Sequence, residues 1–422
     1  MENAGVFTLG DVMESGYRAG SSTRNFTLFH SRRIGLSADR RPIPILGGGR
    51  VTGRAGEFEI GVLDIQTREF RDSAAIGYVP AENFAVLRLR RDILGSSDIG
   101  VLFTNRQATT GGFTDQFNRT FAADANFRLF QQRLLVGSYI AATDEPDVVG
   151  DRYAARVSVG WRDRVWDTSA FVKQVGDGFN PGVGYVQRSG IRHGYATLGA
   201  HPEVPIPHLQ EINPYGEVSV ITGLDGVLET RDLTAGLGMT LNDGGRISLT
   251  YTSTFERLKD VTRISGINVA AGDYEFNDAA ISYRPSPSGV LSGSVRASHG
   301  GFFDGDRTSA TASVQFRPNR HLAMNVEAQH NDVTLSGTSF AADVFAGRVR
   351  YAYNTKLHAL AFVQFNDSSD ELVANVRLNI IHAPLSDVFF VYTERRYVGD
   401  DQLLPDLLER TVSVKATKLF AF

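Results

Sequence analysis

Short segments that alternate in polarity recur along most of this chain, and every second connection between them is tight. Leu291, Gly293, Val295 and Ala297 share one face, while Ser292, Ser294, Arg296 and Ser298 share the other. The next segment sets Ala310, Ala312, Val314 and Phe316 against Thr311, Ser313, Gln315 and Arg317. Leu322, Met324, Val326 and Ala328 then oppose Asn325, Glu327 and Gln329. This is the period-two pattern of a strand with two unlike faces. Tight turns such as GRAG, LGSS, FQQR, NDGG and PSPS alternate with longer polar connections at 69–82, 108–118, 176–190, 258–271 and 394–408. A soluble sandwich has no reason to keep that parity, whereas a membrane barrel does.

Composition agrees. Mean hydropathy is -0.15, and no run of eighteen apolar residues exists to make a membrane helix. A barrel wall gives such an average because lipid-facing and lumen-facing residues cancel. Arg296, Glu327 and Arg377 all fall on the polar face. On the lipid face at mid-bilayer an Arg would cost about 2–4 kcal/mol. The net charge of -4 over 422 residues points to no polyanionic partner and so to no nucleic acid. With no Cys there is neither a disulfide nor a thiolate metal site.

The expected fold is therefore all-β: a closed antiparallel transmembrane β-barrel. The strands number about 22, within a range of about 18 to 24, and run from 26–36 to 409–421. Short turns are expected on the periplasmic side and longer loops outside, and an even count puts both termini in the periplasm. LLPDLLER at 403–410 is the nearest thing to a helix and falls in the last external loop. Residues 1–25 form an N-terminal periplasmic or lumenal segment, and 26–422 form the barrel. The opening MENAGVFTLGDVMESG has neither a basic nor an apolar leader region, so the expectation is a C-terminal part of a longer exported precursor. At the other end, ERTVSVKATKLFAF places Val412, Val414, Ala416, Phe420 and Phe422 on one face. It resembles the insertion signal read by the barrel-assembly machinery of outer membranes, with Lys418 departing from the pattern.

Several stretches also resemble a bacterial family described only as a domain of unknown function. They are SRRIG at 31–35, PILGGGRVTGRAG at 44–56, LRLRRDILGSSDIGVLFTNR at 87–106, FNPGVGYVQRSG at 179–190 and the block from Arg348 to Arg396. Members of that family pair a C-terminal membrane barrel with an N-terminal β-sandwich similar to family-nine carbohydrate-binding modules. The resemblance covers most of 25–422 and implies an outer-membrane location and a link to glycans. The sandwich is not in this sequence, so none of its sugar-binding residues carries over.

Candidate chemistry is sparse. Arg32, Arg33, Arg50, Arg54, Arg88, Arg90, Arg91 and Arg106 lie on adjacent expected strands. Such a lumenal ladder either binds carboxylates or phosphates of a solute or pairs with Glu57, Asp64, Asp92 or the N-terminal segment and braces the wall. Asp144, Asp147 and Asp151, with Glu145, form an acidic external loop without any calcium-loop spacing. No resident metal or cofactor is expected. Nine His are scattered, with no HExxH, GxSxG or P-loop, and His299 and His330 are the ones to inspect for a hydrolase. The functions in view are a pore or transporter for saccharides or other glycan-derived solutes, and an anchor or scaffold with an occluded lumen. Expected partners are outer-membrane lipids, lipopolysaccharide, the assembly machinery and a glycan-binding domain or protein.

Overall fold

The computed structural model describes residues 4–9, 26–37, 41–72, 77–383, 386–399 and 406–418. Among them, 21 long strands build an antiparallel sheet of β-barrel type. In chain order they are β1 (Ile45–Ala55), β2 (Phe58–Thr67), β3 (Glu82–Ile93), β4 (Ser97–Ala108), β5 (Phe117–Leu129), β6 (Leu134–Asp144), β7 (Tyr153–Arg162), β8 (Trp166–Val175), β9 (Ile191–Ala200) and β10 (Leu209–Gly223). There follow β11 (Leu228–Leu241), β12 (Arg246–Leu258), β13 (Gly272–Arg284), β14 (Leu291–Phe302), β15 (Gly305–Phe316), β16 (Leu322–Leu335), β17 (Thr338–Ala352), β18 (Leu357–Asn366), β19 (Glu371–Ala383), β20 (Ser386–Tyr397) and β21 (Asp406–Thr417). Among the described residues no helix is long and apolar enough to cross a membrane.

Two sequence expectations need correction here. The strand expected at 26–36 is not part of the wall. Only Phe26–Thr27 forms a strand, paired with Tyr185–Val186, and a 3-10 turn at Ser31–Arg33 interrupts the rest. Its alternating apolar residues bury themselves on the wall instead of joining it. The wall therefore starts at Ile45, and the odd count removes the parity argument that put both termini at one end. The placement of 403–410 in the last external loop is the second correction, since Asp406–Arg410 begins β21. Residues 403–405 and the terminal Phe420 and Phe422 lie outside the described residues.

The chain divides into two compact units, Met1–His201 with Tyr215–Asp232, and Pro202–Pro214 with Leu233–Phe422. In the first unit Val157, Val159, Val172 and Leu198 are exposed on the outward face. That apolar band is bounded by Tyr153 at the long-loop ends and by Trp161 and Trp166 at the short-turn ends. Tyr153 and Trp161 are eight residues apart on one strand, about 26 Å at the usual rise. That matches the aromatic-girdled band of about 25 Å that a membrane barrel presents to lipid. In the second unit the alternation reads as expected. Val295, Val314 and Val326 are exposed on the outward face, while Arg296, Glu327 and Arg377 are exposed on the other.

The turn joining β7 to β8 is fixed by Asp163, whose carboxylate accepts the backbone N–H groups of Val165 and Trp166 and the Trp161 indole N–H, each at 2.8 Å. These bonds, the Trp166 N–H first and then the Trp161 indole and the Val165 N–H, hold its pKa down from 3.8 to about 2. A depressed carboxylate stabilises the fold above its unfolded pKa and stops doing so as pH falls through the folded one. Wild type is thus expected to exceed Asp163→Asn in stability at pH 6, with the gap closing as pH drops from near 3.8 to about 2. Urea unfolding of both proteins across that range checks it, and a gap that stays constant contradicts it.

Candidate functional site

The inner face of the first unit has two tiers. Towards the short-turn ends it is charged. Arg88 on β3 and Asp124 on β5 are both almost fully buried and form a bidentate pair at 2.5 and 2.9 Å. The guanidinium reaches Asp124 across β4 because the residue between them is Gly100, where a Cβ would sit 2.6 Å from Arg88 Nη1. Asn126 donates to Asp98 at 2.8 Å, and Arg128 pairs with Asp98 at 2.9 Å. Arg54 pairs with Asp92 and Arg90 with Glu59 in the same tier, whereas Arg91 pairs with Glu57 at the opposite strand parity and Arg106 pairs with Glu82 at the long-loop end. Of the arginine ladder, then, Arg54, Arg88 and Arg90 share the charged tier of the inner face, while Arg91 and Arg106 lie apart from it, and each of the five is set against a carboxylate. Arg50 stands opposite Leu63 on the same face. Arg32 and Arg33 do not join them. They sit on the 3-10 turn, where Arg33 donates to the Gly184 carbonyl at 3.3 Å.

Towards the long-loop ends the inner face is apolar and covered. Leu63, Phe84 and Val86 are buried beneath Phe7, Ile34 and Val183. Leu102, Ala122, Ala141, Ala154, Val175, Ile191 and Ile221 are buried beneath Leu28 and Phe179, with Leu9, Phe26 and Val186 alongside. The cover is made of two segments that are not wall: the N-terminal residues 4–9 and 26–36, and the connection 176–190 folded inward. Each large covering side chain removes enough apolar surface from water to contribute about 1.5–3 kcal/mol. The inward connection is pinned to the wall by Asn118 on β5. Its side chain accepts the Gly182 N–H and donates to the Asn180 carbonyl, both at 2.7 Å. The N-terminal segment is in turn held on that connection, through the pairing at Phe26–Thr27 and the His30 N–H to the Val183 carbonyl at 2.9 Å. The close approach needs Gly184, where any Cβ would meet the Thr27 carbonyl at 2.1 Å.

A third feature was not singled out in the sequence. Tyr139, Arg156, Lys173 and His193 stand directly opposite one another on β6, β7, β8 and β9, and Arg156, Lys173 and His193 are almost fully buried. Adjacent like charges repel across a sheet. Here the Arg156 guanidinium and the Lys173 ammonium lie 4.3 and 5.3 Å from the centre of the Phe171 ring, which attracts both. Phe171 stacks on Tyr195 at 5.3 Å, and His193 Nε2 is 3.0 Å from Ser219 Oγ. The signal was available: basic residues at one parity on three successive strands.

Two of the three acidic loop candidates are bonded within the loop and its flanking strands. Asp144 pairs with Arg152 at 3.3 Å, Asp151 accepts from the Tyr153 N–H and from Gln174, and Asp147 has a left-handed backbone at φ 61. Among the described residues no group of three or more His, Asp or Glu is placed to hold a metal ion. His299 Nδ1 lies 2.8 Å from Thr308 Oγ1, and His330 Nδ1 lies 2.6 Å from Asp343.

No family model and no curated protein matches the chain. Among solved structures, the complex of FpvAI with pyocin S2 is similar at a TM-score of 0.53 and 10% identity, over 89% of this chain and 73% of that one. The shared fold is that of an outer-membrane β-barrel. At that identity the likeness speaks for the architecture, and the covered inner face has to be read from its own chemistry.

Proposed function

We propose that this chain is an outer-membrane transporter-type barrel for saccharides or other glycan-derived solutes, whose passage its own N-terminal segment keeps closed. The observation that carries this reading is the burial of Phe7, Leu28 and Ile34 against the inner face of the wall. The cover is noncovalent, held by apolar packing on the wall and by backbone hydrogen bonds to the 176–190 connection, so it can be displaced without breaking a covalent bond. Displacement opens the way to the Arg156, Lys173 and His193 row, one inward step along the strands from the covered Ala154, Val175 and Ile191 and beside the Phe171–Tyr195 stack. That row suits an acidic saccharide: the Arg156 guanidinium for its carboxylate, and aromatic faces for its ring. The glycan part of the proposal also draws on the family resemblance of the sequence.

The same burial favours a second reading, a membrane anchor or scaffold for a carbohydrate-binding or surface partner, with a permanently occluded lumen. Conductance in planar bilayers separates the two. The full chain is expected to show brief, small openings, and a variant lacking residues 4–36 a steady conductance several-fold larger. Equal conductance contradicts the plug, and silence from both proteins selects the anchor.

A further inference from the structure

We propose that the outward face of β7 to β10 binds one lipopolysaccharide molecule, with an acyl chain in a groove at Gly194 and a phosphate on Arg192. The proposal rests on the outer-membrane placement above and adds a site on the opposite side of the wall from the solute path.

The groove follows from strand register. Val157, Val172, Gly194 and Val220 lie side by side across the four strands, and the next row towards the short turns is Val159, Ala170, Ala196 and Val218. With no side chain at Gly194 and only methyl groups at Ala170 and Ala196, the valines stand as rims around a trough. Two adjoining hollows of about 360 and 430 Å³ share Val157, Val172 and Gly194 as lining. Bilayer lipid is the medium facing this surface, and a trough there is filled by an acyl chain because a void forfeits dispersion contacts.

Arg192 decides which lipid. It lies one row above the trough, at the end where the long connection 176–190 leaves the wall, and it is exposed. Among the described residues no carboxylate pairs with it, which leaves its charge available to an anion. Its side chain is nevertheless oriented. Nε donates to Gln174 Oε1 at 3.1 Å, and Gln174 is itself held by Asp151 at 2.8 Å. A positioned, exposed guanidinium is a phosphate receptor. The leaflet at the long-loop end of an outer-membrane barrel is lipopolysaccharide, whose lipid A joins phosphates to several acyl chains. An anionic head at Arg192 with a chain running towards Leu198 matches that arrangement.

Native mass spectrometry of the detergent-extracted full chain tests this, titrating deep-rough lipopolysaccharide or phosphatidylglycerol onto wild type, Arg192→Gln and Gly194→Leu. A Cβ on Gly194 meets nothing within 4 Å, so leucine there fills the trough without pushing on the wall. Arg192→Gln is exposed and leaves the strand pairing intact. Wild type is expected to retain one lipopolysaccharide, and each variant to bind it about tenfold more weakly, the loss of one charge-assisted hydrogen-bond set or of the chain's seat. Undiminished binding in both variants overturns the site. Equal, Arg192-dependent binding of phosphatidylglycerol overturns the lipopolysaccharide assignment. Recovery of all three proteins in the outer-membrane fraction checks placement separately, so a failed site and a failed location are told apart.

Discussion

Asp124→Ala is expected to lower the unfolding free energy by about 3–5 kcal/mol, since it leaves the Arg88 guanidinium charged, buried and without its carboxylate. Arg88 is 1% exposed and Asp124 is 5% exposed, so water cannot replace the lost partner without opening the wall. Arg88→Leu is expected to cost a similar amount for the mirror reason. Arg88→Leu with Asp124→Leu removes both charges together, and it is expected to recover most of the loss because an apolar pair of similar size needs no partner. Gly100→Val gives an independent view of the same contact. It leaves both charges in place and drives a side chain into the guanidinium, 2.6 Å from the Cβ position. Equilibrium unfolding in urea from lipid vesicles reads all four. A loss below about 1 kcal/mol for Asp124→Ala would mean that the pair is solvated, as surface pairs are.

How far the sequence reached depended on which interactions are local. The wall strands from β1 to β21 were legible because each strand's two faces are written in its own residues, and because tight turns alternate with long connections. The misread at 26–36 has the same origin. Phe26 and Leu28 alternate like wall residues since they also have one face against an apolar surface, and burial pattern alone does not say whether the backbone is paired along its length. The inward fold of 176–190 was not legible, because a long polar connection reads alike whether it points out or in. Its marker is Gly184, whose need for a bare backbone appears only once Thr27 is known to pass 2.1 Å from where a Cβ would stand. The arginine ladder was visible as a set, but the partner of Arg88 was not. Asp124 lies two strands away and was absent from the acidic residues expected to pair with the ladder. Register and the gap at Gly100 bring the two together.

Closure by the N-terminal segment is expected to be reversible, and the chain's lack of cysteine makes that directly measurable. The cover is seated by side chains such as Phe7, whose ring packs on Phe29 at 5.1 Å and on the apolar wall. Beside it, Val6 Cγ1 lies 2.8 Å from the Cβ position of Gly61 on β2. In a disulfide each sulfur sits about 3 Å from the partner's Cβ, so Val6→Cys with Gly61→Cys places a bond where a contact already exists. That bond ties the N-terminal segment to the wall itself rather than to the inward connection. Single-channel recording of the double variant, oxidised and then reduced in the same bilayer, is the most direct test of a displaceable plug. Openings are expected to vanish in the oxidised protein and to return to the wild-type pattern after reduction; identical currents in the two states, whether open or silent, would contradict it.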